Sequence, residues 1–76
     1  MVLRNIIGRL ALERGWDLNS SSSVMQQYSK GDTTIKVRYL HNGAIWHAEW
    51  FRGGTRRDVS AQDPHKRDVV ISWLEE

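Results

Sequence analysis

The sequence predicts an α+β domain: a helix, a three-stranded antiparallel meander and a second helix, with both helices on one face of the sheet. Three observations carry this. Apolar residues recur at spacings of three and four near both ends of the chain, the period shifts to two between them, and Asn42-Gly43 marks a hairpin in the alternating region. The chain has 76 residues, enough for one hydrophobic core over residues 1–76 and no second domain.

The first helix is expected over residues 2–14, where Leu3, Ile6, Ile7 and Leu10 form one apolar face. Gly15 stands where a left-handed cap would close it, with Trp16 placed to fold back onto Leu10 or Ala11. Gly8 interrupts the helix at a cost of about 1 kcal/mol relative to alanine, which close packing against the sheet would explain. Residues 19–23, Asn-Ser-Ser-Ser-Ser, read as a polar loop with nothing to pack.

Strands follow over residues 24–29, 33–40 and 44–51. With Asn42-Gly43 as a two-residue turn, Leu40 faces Ile45, Tyr39 faces Trp46, Arg38 faces His47, Val37 faces Ala48, Lys36 faces Glu49 and Ile35 faces Trp50. One face then collects Ile35, Val37, Tyr39, Trp46, Ala48 and Trp50, and Lys36 pairs with Glu49 across the strands. A two-residue turn at Gly31-Asp32 sets Tyr28 opposite Ile35 and Val24 opposite Tyr39, and it places Gln26 on the packed face, against its polarity. Residues 52–59 read as a loop rather than a short fourth strand, because a turn at Gly53-Gly54 would oppose Asp58 and Glu49. Asp63-Pro64 reads as N-cap and first position of the last helix, whose buried face is Val69, Val70, Trp73 and Leu74. Its end, Glu75 and Glu76, lies at the negative pole of the helix dipole and should fray.

Composition excludes several classes. There is no cysteine, and His41, His47 and His65 lack metal-ligand spacing, so neither disulfide nor metal is expected. No apolar run approaches the roughly twenty residues of a membrane span. Arg4 and Arg9 break the apolar start, unlike a signal peptide, so a cytoplasmic protein with no membrane association is expected. Eleven basic against nine acidic residues leave a surplus of two, which permits nucleic-acid binding without demanding it.

The chemistry of catalysis is missing: no phosphate-cradling loop opens a helix, no histidine adjoins the serine run, and His47 stands alone. A non-catalytic protein without cofactor is expected. Two surfaces remain. If the helices cover the aromatic face, the outer face carries Met25, Arg38, Leu40, Ile45, His47 and Phe51, a mixed apolar and charged surface suited to a protein partner or a second copy. The alternative is a phosphate-contacting cluster of Arg52, Arg56, Arg57, Lys66 and Arg67 beside a helix start, which would bind RNA or DNA.

The helix, three strands, helix layout resembles that of double-stranded RNA-binding domains. That family contacts RNA through a longer loop bearing proline and histidine and through a lysine-rich start to its last helix. This chain has Lys30-Gly31-Asp32 and Lys66-Arg67 at those places. Locally, Leu12-Glu13-Arg14-Gly15-Trp16-Asp17-Leu18 resembles the end of the first helix and the start of the first strand of HicA-type mRNA interferase toxins. Their catalytic histidine has no counterpart in Ser23-Val24-Met25-Gln26-Gln27, so an RNase of that type stands only as a last alternative, carried by the shared fold. In style the chain is similar to small orphan proteins of actinobacteriophages: short, richer in arginine than lysine, cysteine-free, with a Gly-aromatic pair closing a helix before a hairpin. That likeness implies binding of a host protein or nucleic acid in takeover, counter-defence or regulation.

Overall fold

The computed structural model describes residues 3–76. Helix α1 spans Leu3–Glu13; Ile7 and Ala11 are buried on its inner face, with Leu3 and Leu10 packed beside them. Gly15 adopts the left-handed conformation at φ 85°. The Trp16 amide then donates to the Ala11 carbonyl at 2.9 Å and the Gly15 amide to Leu12 at 3.2 Å, the paired bonds of a Schellman cap. The cap turns Trp16 inward, and its indole Nε1–H donates to the Leu74 carbonyl at 2.9 Å, joining the two ends of the fold.

The sheet has five strands, not three: β1 Asp17–Ser21, β2 Met25–Lys30, β3 Thr33–Tyr39, β4 Ile45–Arg52 and β5 Thr55–Val59. They lie in chain order, each antiparallel to the next. Helix α2, Lys66–Leu74, packs with α1 against one face of this sheet. The extra edge strands take the chain away from the layout of the double-stranded RNA-binding domain.

Each extra strand has a physical reason. The serine-rich segment is a strand although every side chain in it is exposed. Backbone pairing with β2 holds it, through a bulge at Asn19 between the Leu18–Tyr28 and Ser20–Gln27 pairs. Arg4 of α1 anchors its end, donating to Ser21 Oγ at 3.0 Å and the Ser22 carbonyl at 2.6 Å. For β5, Gly53 at φ 55° closes a two-residue turn, and Asp58 does oppose Glu49. Arg56 removes the repulsion, lying 2.8 Å from Glu49 and 3.8 Å from Asp58.

The β2–β3 hairpin has the expected register, Tyr28 facing Ile35 across a turn in which Gly31 has φ 61°. Gln26 is buried on the packed face because the Tyr39 hydroxyl donates to its Oε1 at 2.8 Å. Gly8 sits above this polar patch; a Cβ there would meet the Tyr28 hydroxyl at 3.4 Å. The Tyr28 hydroxyl has no hydrogen-bond partner among the described residues.

The last helix begins later than Asp63-Pro64 suggests. The Asp63 carboxylate instead accepts from the His65 amide at 2.8 Å, forming a turn two residues long, and the helix starts at Lys66. Its buried face is Val70, Trp73 and Leu74, with Val69 partly covered. Fraying of its end is opposed by the Trp16 bond and by Arg14–Glu75 and Arg57–Glu76 ion pairs at 3.3 and 3.0 Å.

Tyr39→Phe leaves the buried Gln26 carbonyl without its donor and should cost about 1–3 kcal/mol in a urea unfolding titration. Tyr28→Phe, which removes a hydroxyl without a partner among the described residues, should change stability by no more than about 0.5 kcal/mol. Equal losses would contradict this assignment.

Burial pushes the Tyr28 hydroxyl up to about 12, against an opposing pull from Arg4. Tyr39 is raised by burial and by its neighbour Tyr28, again against Arg4. These are the chain's two tyrosines. Both phenols are neutral in the fold and ionise near pH 10 when unfolded. Their contribution is therefore complete below about pH 10 and is lost as pH rises through the folded values. An absorbance titration should show tyrosinate appearing together with alkaline unfolding; free titration near pH 10 in the folded protein would contradict it.

Candidate binding surface on the open face of the sheet

Both helices cover one face, so alternation leaves a second face open. Its side chains fall in rows across the strands: Met25, Arg38 and His47 in one, Gln27, Lys36, Glu49 and Asp58 in the next, and Thr34, Phe51 and Arg56 beyond.

The turn between β3 and β4 decides what else reaches this face. It is a three-residue loop rather than a two-residue one. Gly43 alone takes positive φ, 89°, while the Asn42 side chain accepts from the Ala44 amide at 3.0 Å. The Leu40 amide donates to Ala44 and the Gly43 amide to Leu40, at 2.8 and 2.9 Å. Tyr39 consequently pairs with Ile45, not Trp46. From Arg38–His47 onward the expected register holds, so Trp46 is the additional residue of a bulge.

Two placements change as a result. Ile45, expected on the outer face, is buried at 3% exposure, since the shifted pairing puts it on the core side with Tyr39. Trp46, expected in the core, is 46% exposed. Its ring lies 6.2 Å from that of His47, tilted by 55°.

Trp46, Val24, Met25, Arg38 and Tyr39 line an open groove of about 420 Å³. Val24 and the neighbouring Leu40 are also largely exposed, at 41% and 46%. Of the residues expected to bind protein, Met25, Arg38, Leu40 and His47 thus gather near one end of the sheet. Phe51 lies toward the other end, half-buried beneath the Arg56 guanidinium at 5.9 Å. Val24, Tyr39 and Trp46 are groove residues that sequence reasoning missed. The trace of Trp46 is the adjacent bulky pair Ile45-Trp46 directly after the turn, which breaks strict alternation.

Charge on this face is unevenly satisfied. Glu49 faces Lys36 as expected, but its carboxylate bonds Arg56. Arg38 is exposed and makes no hydrogen bond or ion pair with the described residues, unlike the other sheet arginines.

The basic set is dispersed. Arg52 donates to Thr33 Oγ1 at 2.8 Å and, like Arg57, lies against Trp50. Arg57 pairs with Glu76, whereas Arg56 is on the opposite face with Glu49. Lys66 donates to the carbonyls of Ala61 and Asp63 at 2.9 and 2.8 Å, and Arg67 lies 3.8 Å from Asp68. No group of three or more potential metal ligands occurs among the described residues, and no described helix is long and apolar enough to cross a membrane.

Comparison with known families, curated proteins and solved structures finds no significant match.

The bulge makes a direct prediction. Ile45→Ala should cost about 2–5 kcal/mol, as a core truncation does, while Trp46→Ser should cost less than about 1 kcal/mol. In acrylamide quenching of the native protein, Trp46→Ser should abolish most of the accessible emission, because Trp16, Trp50 and Trp73 are buried. The reverse order of stabilities would return Trp46 to the core.

Proposed function

We propose that this chain is a non-catalytic interaction domain that binds a protein partner through the open face of its sheet, at the end formed by Val24, Met25, Leu40 and Trp46. The observation that carries this reading is the exposed Trp46 beside the groove, on a face that neither helix covers. Exposed aromatic anchors surrounded by aliphatic and cationic side chains are the usual centre of a protein interface. The core does not need this tryptophan, since Ile45 takes the inward position in its place. The likeness to actinobacteriophage proteins makes a bacterial host protein the natural partner.

A nucleic-acid reading is less well supported by the geometry. Duplex binding draws most of its strength from several cations aligned on phosphates. Here Arg56 and Arg57 diverge to opposite faces, and the five candidate cations all have intramolecular partners.

The immobilised protein should retain a partner from bacterial lysate that a Leu40→Asp/Trp46→Asp variant loses and an Arg56→Ala/Arg57→Ala variant keeps. Titration with mixed short RNA and DNA duplexes at low salt should leave tryptophan emission unchanged. Salt-sensitive duplex binding lost only in the arginine variant would replace this reading with the nucleic-acid one.

A further inference from the structure

We propose that the groove recognises an acidic protein segment, one that seats an apolar side chain against Trp46 and Met25 and directs a neighbouring carboxylate to Arg38. This rests on the open face being the binding surface and adds the chemistry of what it binds.

The argument begins with the arginines of the sheet. Arg52 is held by Thr33, Arg56 by Glu49 and Arg57 by Glu76. Arg38 alone among them has no such partner among the described residues, and it lines the groove between residues that are otherwise apolar or aromatic. Across the strands it faces Met25 and His47, neither of which offers an anion. The carboxylates in the next row, Glu49 and Asp58, are drawn toward Arg56. Arg38 is therefore free to take a carboxylate from the occupant.

The same arrangement separates the candidate occupants. A second copy docked face to face would present these same carboxylates, already engaged by Arg56. A nucleic acid would find an aliphatic floor, Val24 and Met25, beside Trp46, and on this face only Lys36 and Arg38 lack a hydrogen bond or ion pair with the described residues, too few cations to follow a run of phosphates. A peptide with an apolar residue next to Asp or Glu satisfies both halves of the groove. The planar guanidinium favours a carboxylate, which it can grip with two parallel bonds.

The test uses three pools of acetylated, amidated heptapeptides, randomised except for a central Leu-Asp-Leu, Leu-Asn-Leu or Leu-Lys-Leu. Binding is read from the emission of the exposed Trp46 and from backbone amide NMR shifts. The Asp pool should bind at least about threefold more tightly than the Asn pool, with the Lys pool weakest, given the modest strength of a half-solvated ion pair. Arg38→Gln should bring the Asp and Asn pools to the same affinity without altering the unfolding midpoint. Equal binding of all pools that Trp46→Ser removes would overturn the acidic partner while leaving the groove as the binding surface. Preference for the Lys pool, absence of binding by every pool, or binding of a single-stranded oligonucleotide in their place would also overturn it. Binding that survives Trp46→Ser unchanged would overturn the surface itself.

Discussion

Ile35, Val37, Ala48 and Trp50 must all point beneath the two helices, and this requirement governs the central hairpin. Their pairing, Ile35 with Trp50 and Val37 with Ala48, keeps four buried side chains of the central strands in register. Slipping it by one residue would turn each side chain to the opposite face. The three-residue turn closes one residue out of step with that pairing. The conflict is resolved locally, by one bulged residue, because a bulge disturbs one place in the ladder whereas a slipped register would expose the core along its whole length. Ile45 remains inside and Trp46 is expelled.

A second constraint operates where the chain's elements must be closed against each other. A domain this small, without disulfides, has few ways to hold its ends. The Schellman cap after α1 is therefore more than a helix stop: by turning Trp16 inward it places an indole N–H under the last carbonyls of α2, which no intrahelical donor can satisfy. Arg14 and Arg57 add ion pairs to Glu75 and Glu76. These are exposed and individually weak, so the buried indole bond is the stronger tie.

What was legible in the sequence follows from which signals survive averaging over neighbours. The first helix, its glycine cap, the β2–β3 register and the buried face of α2 each rest on a local pattern with a single physical reading. The edge strand β1 does not: Asp17, Asn19, Ser20 and Ser21 are all exposed, so no alternation distinguishes it from a loop. For β5 the rule against opposed carboxylates was sound but incomplete, since it ignored Arg56, two residues from Asp58 and on the same face. Missing that strand also hid the dispersal of the basic residues, because period-two alternation is what sends Arg56 and Arg57 apart. Among the groove residues, Met25 and Arg38 were legible from the register, whereas Trp46 depended on a turn length that Asn-Gly leaves open: the pair serves two-residue loops through both residues and three-residue loops through the glycine alone.

The bulge joins stability to function in one step. A tryptophan placed by regular alternation would have enlarged the core and left Ile45 on the open face in its stead. Released by the bulge, it stands beside Arg38, which has no hydrogen-bond or ion-pair partner among the described residues, on a face where Glu49 and Asp58 lie nearest Arg56. The helices and inner sheet face hold the fold without either residue, so both can be altered without unfolding the protein. A surface whose apolar and cationic members are dispensable to the core, yet held on paired strands rather than a loose loop, is preorganised for a partner.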